Sequence, residues 1–438
     1  MNTTYDFVIH GTGFRSIFAA LYLADKGSKV CIVDISEEIY SFLKPFKWKG
    51  YNLDKGPQYF DDFTKADWAL MEKLLNKNLF EDIDFSYASY SNGNLNHDFA
   101  IPVWNHFPEL DTQAIFDDLK NTRRIHKDTF NNFDEYLKYD GGGLLYEHLK
   151  IFTKKFLTKN PEELSPLTKQ IVSFCGRKVL FDNDLSIKLK KDTEVDNILA
   201  AKKQDVDVDK YNLYPISTNN EDIRMSMAES LTRLNIDTYL GVNIVKINKE
   251  KKTLTLSNNL SISFNKILLA DNIQNSENYF YQTNRIEKNI YNLPEIFFIF
   301  EIEKDSFVGK NYVVNYDLNH ISTRITNFSN YSNLGMDKDV ICVEVPTKKD
   351  WDLWIHPESF TQKIKNELNS LNSEEIKFYD SKAFKINSTY KVPLKNYEKK
   401  VDNFYQLVKN DDIFIVPDHR YLTRKNGIDT ILRLFQKV

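Results

Sequence analysis

Six residues near the amino terminus, Gly11-Thr12-Gly13-Phe14-Arg15-Ser16, have the types and spacing to hold a diphosphate. A β-branched and aromatic run over 5–10 precedes them, and apolar residues at helical spacing, Phe18, Leu21 and Tyr22, follow, so they form a strand-to-helix turn. There Gly11 makes the tight turn and Gly13 lets backbone approach a pyrophosphate, while the start of the helix at Phe14 faces its negative charge. Ser16 replaces the usual third glycine and is small enough to keep helix and strand close. Asp34 lies 21 residues after Gly13, at the end of a second apolar strand over 29–34, where a carboxylate can accept both hydroxyls of an adenosine ribose. This pattern reads as dinucleotide binding and does not separate FAD from NAD.

Two later stretches carry candidate chemistry. Arg324 stands between two strand-like runs, a position that favours a functional reading over a surface ion pair. At the carboxyl end a strand over 412–416 runs into Pro417 and Asp418; Arg420 and Tyr421 follow, and Asn426-Gly427-Ile428 opens a last helix over 427–436. Other residues take the plainer reading: His10 and His419 are structural histidines, Tyr316 and Tyr390 core or sheet aromatics, and Asp429 a helix-start acid. Cys31, Cys175 and Cys342 lie far apart without a C-x-x-C pair, so neither a metal site nor a disulfide framework is expected.

The elements that must position these residues follow from periodicity. Residues 1–34 form a β-α-β unit; 62–79 and 113–160 are mainly helical; 182–209 is polar, lacks periodicity and reads as a surface excursion or mobile loop. A helix over 220–234 leads to strands over 241–248 and 252–256, and a strand over 261–272 returns to a parallel sheet. Strand-like runs at 295–303, 312–316 and 340–345 indicate a mainly antiparallel second sheet. The chain is therefore read as α/β, with a Rossmann-type domain built from 1–65, 210–275 and 401–438, a helical lobe over 66–209, and an antiparallel sheet domain over 276–400.

Bulk properties narrow the partners. A chain of 438 residues, 42% hydrophobic, buries more than one core. A net charge of -4 argues against general binding to a nucleic-acid backbone. The longest apolar run, over 17–24, is far too short to span a bilayer, and with no signal-like amino terminus a cytoplasmic location is expected. The oligomeric state, including a homo-oligomer, is left open.

Leu53-Asp54-Lys55-Gly56-Pro57-Gln58-Tyr59-Phe60 resembles the segment of amine-oxidase-type flavoproteins in which a glycine-centred turn brings backbone close to the isoalloxazine. Residues 152–164 are similar to part of the helical lobe of UDP-galactopyranose mutases and protoporphyrinogen oxidases. Val314-Asn315-Tyr316 with Thr323-Arg324-Ile325 resembles the mutase segment whose arginine faces the active site. The resemblance implies FAD as cofactor. Contacts to it would come from Gly11, Gly13, Phe14, Ser16, Asp34, Gly56, Pro57, Asp418, Asn426, Gly427 and Ile428. It further implies a redox-neutral interconversion of pyranose and furanose forms of a nucleotide sugar by reduced flavin, with Arg324 and Gln58 at the reaction and Arg324, Arg420 and Tyr421 on the substrate. Gln58 stands where the mutases commonly carry a histidine, and Asp418 where an acid is normal in the oxidases. These departures keep two rivals in view, an amine oxidase or desaturase-like oxidoreductase and a non-catalytic binding protein.

Overall fold

The computed structural model describes residues 3–124, 129–202, 209–217, 219–270, 273–281, 286–307, 310–331, 337–408, 412–416 and 423–436. The chain divides into two compact units, one from Met1–Ile83, Val208–Asn289 and Glu398–Val438, the other from Asp84–Asp207 and Ile290–Tyr397. The helical lobe and the antiparallel sheet expected from sequence thus share one unit. Residues 66–83, expected in that lobe, join the first unit instead, because the helix Lys65–Leu75 buries Met71, Leu74 and Leu75 in its core.

In the first unit the central strand Thr4–His10 lies between Val30–Val33 and Ser261–Leu269, all parallel. Asp237–Tyr239 extends the sheet beyond Val30–Val33, a short strand that periodicity does not disclose. Ser261–Leu269 branches: its first residues pair with the hairpin strand Thr253–Leu256, its last with the parallel strand Ile413–Ile415. Both faces are covered, as a parallel sheet requires. Phe7 and Ile9 point into one apolar cluster with the helices Phe14–Asp25, Glu221–Arg233 and Arg424–Phe435, while Val8, Cys31 and Val33 point into another. The first helix ends where Gly27, at φ 91°, lets Ser28 N–H reach Leu23 O and its own N–H reach Ala24 O, satisfying carbonyls of the last turn.

The second unit holds a seven-stranded sheet in the order Phe378–Pro393, Ile290–Glu303, Lys338–Pro346, Arg324–Asn327, Tyr312–Asn315, Tyr87–Ser91, Asn94–Asn96. Its pairs are antiparallel except Tyr312–Asn315 with Tyr87–Ser91. One face carries Ile296, Phe298, Ile325 and Val343 and packs on Ile364 and Leu368 of the helix Thr361–Ser370. Val314, Leu293 and Val392 instead join the core of the helices Thr112–Arg124 and Phe133–Leu157. The latter helix is broken at Gly142, whose φ of 60° and ψ of -162° no helix interior allows. Asp118 enters the break and accepts from Leu144 N–H at 3.1 Å, capping the second segment.

The polar stretch read as a loop is ordered over 182–202. Asp182 and Asp192 cap the short helices Asn183–Leu189 and Thr193–Asp196, and Val195, Ile198 and Leu199 are buried in the unit's core. Helices of seven and four residues are too short to reveal a 3.6-residue period. The rest of that stretch, 203–208, lies outside the described residues.

Candidate cofactor and substrate sites

In the first unit the strand Thr4–His10 delivers Gly11 at φ 105°, a conformation open to glycine at no steric cost. Gly13 is the N-cap of the helix and makes no side-chain cap hydrogen bond, and no acid lies in the first turn. Ser16 is fully buried and donates to His10 O at 3.4 Å, holding helix to strand. Phe14 turns its ring into the core against Phe18 and Phe60. Asp34 is committed to its own loop: Oδ2 accepts from Thr12 N–H at 2.6 Å and Thr12 Oγ1 at 2.9 Å, and Oδ1 from Ser36 N–H at 2.6 Å. A carboxylate offers about four acceptor sites, so Oδ1 keeps one for a ribose hydroxyl.

Gly56 turns the segment at φ 73°, again a conformation that favours glycine. Around it runs a buried network that sequence reasoning missed. Asp54, 2% exposed, accepts from Tyr214 Oη and Asn220 Nδ2, both at 2.7 Å. Asn220 Nδ2 also donates to Gln58 O at 2.8 Å, while Asn220 Oδ1 is buried without a partner among the described residues. Burial pushes the Asp54 carboxyl up to about 6, against the pull of those donors and the Arg424 charge. Arg424 then fixes the far side of the turn: Nη2 donates to Gln58 Oε1 at 2.7 Å and Nη1 to Tyr59 O at 2.5 Å, with the guanidinium over the Phe60 ring. Gln58 Nε2 donates to Lys55 O at 2.9 Å. Both ends of the Gln58 amide are therefore engaged, and the side chain positions the turn.

The last helix begins three residues earlier than its sequence suggests, at Arg424, with Thr423 as N-cap accepting from Asn426 N–H. Gly427 N–H already donates to Thr423 O, and Ile428 is fully buried in the core, so neither offers an amide at the helix tip. Gly427 is needed for packing instead, since a Cβ there would stand 2.7 Å from Arg15 Cγ. Pro57 lies in the Gly56 turn, half-buried. Asp418, Arg420 and Tyr421 lie outside the described residues.

In the second unit the strand Arg324–Asn327 places Arg324 opposite Glu344 of Lys338–Pro346. Arg324 is 8% exposed; its Nη1 donates to Glu344 Oε2 at 2.9 Å and to Tyr390 Oη at 2.5 Å, and its guanidinium lies over the Tyr390 ring. Glu295 Oε1 stands 4.0 Å from Arg324 Nη2. Among the described residues the hydrogen bonds of Arg324 run from Nη1 alone, so its other N–H groups keep their donor capacity. Burial raises the carboxyls of Glu295 and Glu344, the latter to about 7, although Arg324 pulls both down. Tyr390, read from sequence as a packing tyrosine, is thus a partner of the candidate arginine. Tyr316 keeps its plain role, bonded to Ser173 Oγ and Ala100 O.

Among the described residues no cluster of His, Cys, Asp and Glu has the makings of a metal site, and no helix is long and apolar enough to cross a membrane. No protein-family model matches the sequence, and no curated protein is similar to it. Solved structures are. A reduced UDP-galactopyranose mutase matches with a TM-score of 0.72 at 15% identity, over 100% of this chain and 95% of that one. A candidate protoporphyrinogen oxidase from Exiguobacterium sp. 255-15 matches at 0.63 and 12% identity, over 100% and 99%. Putrescine oxidase bound to putrescine matches at 0.62 and 12% identity, over 99% and 98%. The fold of this chain is accordingly the mixed α/β fold that these three proteins share.

Proposed function

We propose that this protein is an FAD-dependent enzyme that interconverts the pyranose and furanose forms of a nucleotide sugar. The cofactor reading is supported by the first unit: a glycine turn into a helix whose first turn carries no acid, Asp34 at the end of the next strand, and the left-handed turn at Gly56. When bound and reduced, a flavin supplies a nucleophilic and electron-rich centre. The chain's own residues supply the rest. The network of Asp54, Asn220, Gln58 and Arg424 fixes the Gly56 turn, and Arg424 adds a permanent positive charge beside it. Arg324 carries the substrate reading. With one nitrogen anchored on Glu344 and Tyr390 and the others uncommitted, it is pre-oriented to hold a diphosphate without reorganising. On the resemblance alone, Arg420 and Tyr421 are proposed as further substrate contacts, and a cytoplasmic location is proposed.

One observation favours a second reading, an oxidoreductase on the same fold. Gln58 replaces the mutase histidine and has both ends of its amide committed, so it offers no group to exchange a proton. An absorption spectrum of the purified protein, then dithionite reduction and addition of UDP-galactose, separates the readings. Flavin bands with conversion only after reduction support the mutase reaction; flavin bleached anaerobically by an amine or cyclic substrate moves the assignment to the oxidoreductase; a protein that stays colourless after reconstitution with FAD excludes both.

A further inference from the structure

Arg324, Glu344 and Glu295 share one face of the sheet in the second unit: Glu344 is the register partner of Arg324, and Glu295 that of Pro346 two residues on. Glu344 and Glu295 are 3% and 0% exposed, and neither oxygen of Glu295 has a hydrogen-bond partner among the described residues. One guanidinium therefore faces two buried carboxyls. The other titratable groups acting on them are Cys342, beside Glu344 in sequence, and Tyr312 and Tyr390, all held neutral at ordinary pH by burial. Two ionised carboxylates would leave an uncompensated buried charge, so one keeps its proton. Glu295, which has Arg324 Nη2 only at 4.0 Å and the Thr389 hydroxyl as its other nearby donor, is that one; Glu344 takes the direct bond from Arg324 at 2.9 Å.

We propose that Arg324 is a proton-linked oxyanion site in which Glu344 is the specificity-determining residue. An incoming phosphate- or sulfate-type group binds the N–H groups of Arg324 that are not on Glu344 and claims its charge, and Glu344, left without a counter-charge, takes up one proton from solvent. The inference rests on the reading of Arg324 as the anion-holding residue and is independent of whether the bound sugar is isomerised. The site is then its own competitor: anion binding is tightest once Glu344 is protonated and weakens by up to about tenfold per pH unit above that point.

Calorimetric titration of the purified protein with sulfate, and separately with UDP-galactose, tests this, because both keep a fixed charge between about pH 6 and pH 8.5. Two buffers of different ionisation heat count the protons in the wild-type protein without any variant. The expected result is uptake approaching one proton, with Kd rising several-fold between about pH 7 and pH 8.5. Arg324→Ala removes the binding. Glu344→Gln keeps an acceptor for Nη1, abolishes the uptake and binds both probes more tightly at high pH, and the double variant with Glu295→Gln behaves alike. Proton uptake that persists in the double variant, or failure of both probes to bind the wild type, overturns the inference. Proton-linked binding without turnover after reduction leaves it standing and removes the isomerase reading alone.

Discussion

Asp54 sits where a carboxylate is least comfortable, out of water, and its raised pKa fixes the sign of a stability change. A folded-state value near 6, above the usual value near 4, means the native protein binds the extra proton in that interval, so stability falls as pH rises through it and is flat above. Asp54→Asn should remove this contribution, on the order of 2 kcal/mol, from the wild-type difference between about pH 4 and pH 7. Urea midpoints at the two pH values measure it; an unchanged difference places the titration elsewhere. Arg424→Ala strands Gln58 Oε1 and Tyr59 O, and should cost about 2 kcal/mol or more of stability and weaken FAD binding at least tenfold. Flavin retained at wild-type affinity on gel filtration would remove Arg424 from the cofactor site. The strand-to-helix turn at Gly11 and Gly13 and the strand ending at Val33 before Asp34 were legible in the sequence because each lies in a local pattern. Arg424 was not: its partner Gln58 lies 366 residues away, and nothing local marks one arginine at a helix start from another.

At the scale of elements, the break in the helix Phe133–Leu157 offers a paired test. A Cβ at Gly142 would stand 2.3 Å from Asp118 Oδ2 on a left-handed backbone, so Gly142→Ala should destabilise the second unit by about 2–4 kcal/mol. At Gly143 a Cβ would approach Asp118 Oδ2 only to 3.8 Å, an ordinary contact, and Gly143→Ala should be neutral or gain up to about 1 kcal/mol. Thermal unfolding of the two variants checks the contrast, and equal effects would mean that Asp118 does not define the break. Long periodic elements, such as the helices Phe14–Asp25 and Glu221–Arg233, were readable from the sequence because burial on one side repeats along them. The helix Asn183–Leu189 and the strand Asp237–Tyr239 were not, being shorter than two periods of any pattern and held by capping carboxylates or by a neighbouring strand.

At the scale of the whole molecule, each unit closes its core with distant segments. The strand Thr4–His10 pairs with Ser261–Leu269, and the helix Arg424–Phe435 adds Ile428, Ile431 and Phe435, all fully buried, to the same core. Removing residues 398–438 takes away those three side chains, worth roughly 6 kcal/mol of burial, and the strand Ile413–Ile415. That is comparable to the whole stability of a domain, so hydrogen exchange in Thr4–His10 should lose its protection while Ile290–Glu303 keeps it. Loss of protection in both would mean that the second unit cannot stand alone. The order of segments was legible in the sequence, but their boundaries were not, because residues 66–83 look like any amphipathic helix and strand until their buried partners are known. Interleaving also sets a schedule for synthesis. While the nascent chain leaves the ribosome, the glycine turn is made first, yet the strand beside it, paired early with Val30–Val33, waits some 250 residues for its second partner and longer still for the last helix. A holding chaperone has its opportunity in that interval, and a ligand bound through the whole first unit can be loaded only after translation has reached its final segment.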